Sequence, residues 1–595
     1  MAVSPKGLSI QTMYRDYRDG ALVVNRQYQR KLVWTVAEKI KLIDSIMLNY
    51  PIPLILLAEK PAPDIGGSPI IEIIDGMQRL NAIFSFIEHG FTVDGKCFDL
   101  KELARARQAN EEGLFIALPD EVERFEPKTC SDFLDYQLAI TSFSGEDEER
   151  ITDIFGRINS GGKQLSDQER RQAGVLSPFA ELVRELAAEM RGDVSSERLA
   201  LHDMPEISIE TQKNPHGYKL KAEEIFWCKQ GVLRTGDLRD SDDEEMIIDI
   251  CASILNGAPA DGNRTYRDNL YSASHEAAIE INKKLISYGA EQIANEVKLA
   301  FSALRSVVEG SSEAPNHFRT TVYPGPTSNA QKSPFYAVFM AFFDLIIKEG
   351  MYPDDPATIM SCIQNLTNKI TVGQKQTKAA DRVSNVNQVK GLIRDHFIKK
   401  DVNAFSHGPG LILDFENSIA RSKTETSRYE FKQGLLRLDN ERKEDPSILQ
   451  TILETICGIA NSGPDADGFL YVGIADRADH AERIEVLDGV VAATVRHVKV
   501  VGVEREAKVL GIEMDAYQKR FEDFIKSSSL TDPLKTMLST SIDTITYKGL
   551  EIVRIRIPKQ KVLSFVGYDA FYRVGSATHK ATGPEIAALA GKFLL

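Results

Sequence analysis

No stretch of this chain approaches the roughly 20 apolar residues that a membrane-spanning helix needs. Met1-Ala2-Val3-Ser4-Pro5-Lys6 also lacks the apolar core of a secretory leader. Cysteine is scarce: six residues, at 97, 130, 228, 251, 362 and 457, none at metal-ligand spacing. That excludes a disulfide framework and a cysteine zinc site, and the expectation is of reduced, buried thiols in a cytoplasmic protein. Positive charge is in deficit too, with 72 Lys and Arg against 86 Asp and Glu, a net of −14. Proteins that coat nucleic acid nonspecifically are basic, because affinity comes from counterion release at phosphates. Such a role is excluded, and any nucleic acid is expected to bind in a focused groove. The acidity is uneven: from Ser406 onward 25 basic residues face 27 acidic ones, a net of −2 that leaves −12 for residues 1–405. No internal repeat and no long low-complexity tract stands out.

What is present describes a multidomain α+β protein. At 595 residues the chain is too long for one core, and its 43% hydrophobic and 27% charged content is ordinary for globular domains. Residues 1–180 mix short strands and helices. Val33 to Leu48 has helical spacing stopped by Pro51 and Pro53, and Leu54 to Leu57 reads as a strand. Residues 64–69 read as a hairpin loop before a second strand, Ile70 to Ile74. Residues 181–405 read as all-helical, with segments such as Phe179–Met190, Glu244–Leu255, His275–Tyr288, Ile293–Val308 and Pro334–Ile347. The acidic run Asp240 to Glu245 precedes Met246-Ile247-Ile248, and carboxylates in a first helical turn suit the helix dipole better than they suggest a metal. Gly408-Pro409-Gly410 marks a boundary, with the junction between 400 and 425, and residues 406–595 form the third domain.

The most informative motif is Asp75-Gly76-Met77-Gln78-Arg79, directly after Ile70-Ile71-Glu72-Ile73-Ile74. A β-branched run predicts a strand, Asp-Gly ends it, and Leu80, Ile83, Phe84 and Phe86 restart with helical spacing. A strand, a glycine turn and a helix start make a phosphate site: helix N–H groups and Arg79 face the anion, and Asp75 holds a metal or orients water. Around it stand Tyr28-Gln29-Arg30, Trp34, and Phe155-Gly156-Arg157-Ile158-Asn159 running into Ser160-Gly161-Gly162-Lys163. Arg157 and Asn159 lie where a helix gives way to a loop, and capping is the plain alternative for them. Ser166 and Glu169 satisfy a capping box and are expected to be structural. Trp34 is expected in the core or as a groove wall.

In this order the set resembles the ParB-like N-terminal family of GmrSD-type restriction systems, over roughly the first third of the chain. The usual turn of that family is Asp-Gly-Gln-Gln-Arg; Met77 here replaces a Gln and removes one polar group. The resemblance implies a ParB-like α/β domain that binds and hydrolyses NTP (GTP or ATP) in defence against foreign DNA. Asp75, Gly76, Gln78, Arg79, Arg157 and Asn159 would bind the nucleotide, Asp75 and Arg79 would act on it, and Tyr28, Gln29 and Arg30 would recognise modified DNA.

The last third opens with Glu425-Thr426-Ser427-Arg428-Tyr429-Glu430-Phe431-Lys432. In a strand from Tyr429, Glu430 and Lys432 share a face. Such a pair serves metal-assisted phosphodiester cleavage, or is a salt bridge on a surface strand. Ile448 to Ala460 follows as an amphipathic helix ended by Asn461-Ser462-Gly463, then a buried strand Phe469 to Ile474 that finishes at Asp476, then Tyr572-Arg573-Val574-Gly575-Ser576. These pieces resemble the Schlafen AlbA-type domain over about residues 420–595. The usual Asn-x-Gly-Gly is expanded here by Pro464-Asp465-Ala466-Asp467. The resemblance implies a metal-dependent triad of Glu425, Glu430 and Asp476 holding Mg²⁺ or Mn²⁺, carboxylate oxygens being suited to both. Lys432, Arg573 and Lys580 are candidates for phosphate contacts, with a structural role for Arg573 left open.

The combined expectation is a defence protein coupling NTP binding and hydrolysis to metal-dependent nucleic-acid cleavage, without a membrane and as a homo-oligomer. The alternative is a nucleotide-regulated DNA-binding regulator whose C-terminal domain is not catalytic. Three carboxylates discriminate, since a pure binder gains nothing from acidic groups beside phosphates.

Overall fold

The computed structural model describes all residues except 1–2, 27–31, 33, 61–69, 112–121, 145–165, 173–174, 176, 194–197, 205, 209–218, 373–377, 400–409, 424–425, 465, 476, 540 and 594–595. It is a mixed α/β protein that divides into two compact units, Met1–Lys400 and Asp401–Leu595. No helix among the described residues is long and apolar enough to cross a membrane.

In the first unit, six described strands form one sheet: β1 (Val3–Ser9), β2 (Leu22–Asn25), β3 (Ile55–Lys60), β4 (Ile70–Asp75), β5 (Gln137–Ser144) and β6 (Arg198–Ala200), in the order β1-β5-β3-β4-β2-β6. Strand β4 runs parallel to β2 and antiparallel to β3. Its unbroken Ile run fits a central position buried on both faces, where alternation is lost. Ile73 and Ile74 are both fully buried. The one charge in that run, Glu72, is also buried and takes the Lys60 ammonium of the neighbouring strand at 2.6 Å. Helices α1 (Ile10–Arg18), α2 (Val36–Met47), α3 (Met77–Ile87) and α4 (Pro127–Asp135) pack on this sheet. Nearly every side chain of α3 is buried, which marks a helix enclosed all round. Behind its C-terminus Glu88 accepts the Tyr14 and Tyr17 hydroxyls at 3.0 and 3.3 Å and pairs with Arg18 at 3.3 Å.

Beyond residue 177 the unit is mainly helical, centred on Trp227, which packs against Phe335 at 5.0 Å and Phe301 at 5.6 Å. The all-helical expectation for 181–405 needs correction. Strand β6 joins the N-terminal sheet, and Glu206–Ser208 with Lys219–Lys221 and Met351–Pro353 with Phe397–Lys399 form two small ribbons. Three-residue strands are too short to leave a periodic trace. The acidic run does lie in the first turn of helix α5 (Asp242–Leu255), yet it serves mostly as a partner for cations. Asp243 and Glu244 meet Arg191, Glu245 meets Arg171 and Arg267, and Asp249 meets Arg267 and Arg382. Burial pushes the Asp249 carboxyl up, but the two guanidiniums outweigh it and hold it below the usual range.

In the second unit, strands β7 (Tyr429–Lys432), β8 (Gly468–Val472), β9 (Ile542–Tyr547) and β10 (Leu550–Ile557) form a sheet in the order β7-β8-β10-β9. One face packs on a helix over Pro446–Ala460, here α6, through Ile452, Ile456, Leu470, Val472, Val553 and Ile555. The other carries Tyr429, Phe431, Phe469 and Tyr471 in stacked neighbouring pairs. Because the side-chain period of a strand is two, Glu430 and Lys432 rise on the α6 face, at the edge of the sheet. A hairpin of β11 (Phe571–Val574) and β12 (Ala577–Lys580) lies against α6, where a Cβ at Gly458 would stand 3.4 Å from Arg573 and from Thr578.

Candidate functional site

Two clusters carry the chemistry that the sequence suggests, one in each unit. At the end of β4 the ladder with β3 is irregular: Leu56 faces Asp75 while Leu57 faces Ile73. Gly76 then turns the chain with φ 104, a left-handed conformation that favours glycine. Space demands glycine as well, because a Cβ would lie 2.9 Å from Ile55 Cγ1. This turn starts α3 without a side-chain cap. Its first N–H groups are left for water or an anion.

Arg79, one turn into α3, folds back over the turn. Its Nη2 donates to Asp75 Oδ2 at 2.7 Å and its Nη1 to the Leu54 carbonyl at 3.0 Å. The guanidinium is therefore fixed, with a hydrogen left on each terminal nitrogen. Asp75 is the more open partner, its side chain 34% exposed against 11% for Arg79. Gln78 accepts from the Trp34 N–H at 3.4 Å, tying the turn to the segment that enters α2. Trp34 is half-buried against the core, and Thr35 caps α2 in a box with Glu38. The Ser166–Glu169 box is present too, with N···O distances of 2.9 and 3.2 Å. Tyr28, Gln29, Arg30, Arg157 and Asn159 lie outside the described residues.

In the second unit Glu430 is gripped from two sides. Lys432 Nζ donates to Oε1 at 2.6 Å and Arg573 Nη1 to Oε2 at 2.8 Å. The Arg573 side chain is 1% exposed. It also donates to Thr578 Oγ1 and to the carbonyls of Thr426 and Tyr429, so it fixes the start of β7 as well as the carboxylate. Lys580 pairs instead with Asp569 on the surface. Glu425 and Asp476 lie outside the described residues, and among the described ones no three His, Cys, Asp or Glu side chains form a metal cluster. Glu430 itself suits a hard cation: it offers oxygen, and Oε1 is held only by a lysine that is 26% exposed.

Two supports of this cluster were not assigned from sequence. Asn461 is fully buried at the end of α6, donating to the carbonyls of Ser564 and Phe571 and accepting the Ser564 N–H, which locks the segment leading into β11. Glu506 is buried beneath the turn after β7, where it accepts the N–H groups of Leu435 and Leu436 and the Tyr517 hydroxyl. Gly434 makes room for it, since a Cβ there would fall 2.0 Å from Glu506 Oε1. Asn461 stood in a quoted motif, so its position was visible. Glu506 sits in the charged run Glu504-Arg505-Glu506, which reads as a surface.

With the turn and its arginine in view, the comparison with known families falls on the same part of the chain. Residues 10–176 match the family model of the GmrSD restriction endonuclease N-terminal domain. The GmrSD-like segment thus runs from α1 through α3 and β5 to the Ser166 cap, and contains the whole Asp75–Arg79 turn. No curated protein matches the chain.

Proposed function

We propose that this protein is a restriction-type defence nuclease in which a nucleotide-dependent N-terminal domain governs a Schlafen AlbA-type C-terminal nuclease domain. The observation that carries the reading is the match of residues 10–176 to the GmrSD restriction endonuclease N-terminal domain, centred on an intact Asp75–Arg79 turn. In this reading Asp75, Gly76, Gln78, Arg79, Arg157 and Asn159 bind GTP or ATP. The uncapped start of α3 and the spare Arg79 hydrogens face its phosphates, and Asp75 orients the attacking water. Tyr28, Gln29 and Arg30 recognise modified or foreign DNA. The helical middle relays the nucleotide state, and the protein works in the cytoplasm as a homo-oligomer.

Glu425, Glu430 and Asp476 would hold Mg²⁺ or Mn²⁺ in the C-terminal domain. Such an ion supplies charge stabilisation at the scissile phosphate and an acidified water. Arg573 keeps the Glu430 carboxylate in place from a buried position, and Lys432 offers the accessible cation for a phosphate. One observation favours the second reading, a nucleotide-regulated DNA-binding regulator: both Glu430 oxygens are engaged by cations.

The deciding experiment incubates plasmid DNA and total RNA with Mg²⁺ or Mn²⁺, with and without NTP, using the natural protein and Glu430→Gln. Cutting that the substitution abolishes supports the nuclease and identifies its polymer. DNA binding without cutting by either protein replaces it with the regulator. NTP turnover lost in Asp75→Asn supports the N-terminal assignment, and turnover unchanged removes it.

A further inference from the structure

The two cations on Glu430 are unequal. Arg573 is buried, and its two terminal nitrogens serve a carboxylate, a hydroxyl and two backbone carbonyls. Removing it from Glu430 would strand buried acceptors that have no water to replace it. Lys432 makes one side-chain hydrogen bond among the described residues, to Glu430 Oε1, and its side chain is 26% exposed. An ammonium on a flexible stem is readily rehydrated, whereas a planar guanidinium locked into several acceptors is not.

We infer that Lys432 is a displaceable counter-ion of Glu430, occupying the oxygen that a divalent cation takes and turning to a substrate phosphate once that cation is bound. The inference rests on the nuclease reading above. An ammonium and a metal ion cannot share Oε1, because like charges at such a separation repel strongly. Arg573 stays as the positioning residue that keeps Oε2 fixed through the exchange. Lys432 remains charged throughout: one ion pair is broken, and its place is taken first by the metal and then by the phosphate. Two residues along the strand from Glu430, the released ammonium stands about 7 Å further on and on the same face, a span that a phosphodiester bridges. Before metal arrives, the lysine keeps a carboxylate from standing unpaired in a partly buried site.

The sign of one measurement separates this from an ordinary phosphate-binding lysine. Mn²⁺ is titrated calorimetrically into the full chain as natural protein, Glu430→Gln, Lys432→Gln, Lys432→Met and Lys432→Arg. Glu430→Gln identifies the heat that belongs to this site. Both neutral lysine variants are expected to bind Mn²⁺ about tenfold more tightly, from the loss of one nearby positive charge in a partly screened setting, while their DNA cleavage falls. Lys432→Arg, which keeps the charge, stays near the natural affinity. A folding defect would weaken binding rather than tighten it, and Lys432→Met keeps the packing of the stem. Glu430-dependent binding that is unchanged or weaker in both neutral variants overturns the counter-ion role and leaves the nuclease reading standing. Cleavage that survives Glu430→Gln, or the absence of any Glu430-dependent Mn²⁺ site, overturns the nuclease reading and this inference with it.

Discussion

The Asp75–Arg79 turn and the Glu430–Arg573 cluster are built from the same pair of groups, and they present opposite signs to solvent. In the turn the guanidinium is the better covered partner and the carboxylate the more open one, beside an uncapped helix start. In the second unit the arginine is sealed in, the carboxylate is mostly covered, and the most open group is Lys432. An arginine four residues from its partner on one element fixes a local turn. Arg573 instead comes from a hairpin 143 residues away and fixes tertiary structure. The difference teaches that a carboxylate–guanidinium pair has no fixed role, and that burial and the number of further acceptors decide it.

Several substitutions break or sharpen this contrast. The largest effect is expected from Arg573→Gln. Losing the cation of a buried pair along with three further hydrogen bonds should cost the second unit about 3–5 kcal/mol. The chain's two tryptophans, Trp34 and Trp227, both lie in the first unit, so tryptophan fluorescence follows that unit, and circular dichroism then isolates the second transition. Gly76→Ala comes next, at about 2–3 kcal/mol from backbone strain and the contact with Ile55, read in the tryptophan transition under urea. Arg79→Gln should cost about 1–2 kcal/mol, because its two bonds are made in a partly open turn. Equal losses for Arg573→Gln and Arg79→Gln would erase the distinction between the sites. The smallest effect concerns pH. Burial lowers the proton affinity of His89, which holds the Phe98 carbonyl at 2.9 Å. A folded histidine that resists protonation leaves stability complete above the unfolded value near 6.5 and reduces it as pH falls below that value. His89→Gln should flatten the tryptophan-monitored stability between about pH 7 and 5.

Much of the fold was legible because long elements repeat their pattern. The predicted helices Phe179–Met190 and Ile448–Ala460 and the strand Ile70–Ile74 fall within observed elements with ends shifted by a residue or two. The Asp-Gly break and the Ser166 cap depend on local geometry alone, and both are found. The pairing of Glu430 with Lys432 followed from strand periodicity. Arg573 was visible as a residue but not as a partner of Glu430, and Glu506 looked like a surface charge, because a distant contact leaves no local pattern. The run Asp242 to Glu245 shows the same limit: its helical first turn was readable, and its arginine partners, scattered from 171 to 267, were not.

By itself the sequence determined the strand–glycine–helix turn at Asp75, the helical stretches, the placement of Glu430 and Lys432 on one strand face, and the family of residues 10–176. These rest on backbone preference and short periodicity, which act between neighbours. Only the tertiary structure decided that Arg79 is anchored by the Leu54 carbonyl, that Arg573 is the buried holder of Glu430, and that Lys432 is its exposed one. Charge strength depends on burial and on the partners that remote segments bring, and these exist only once the chain has closed on itself.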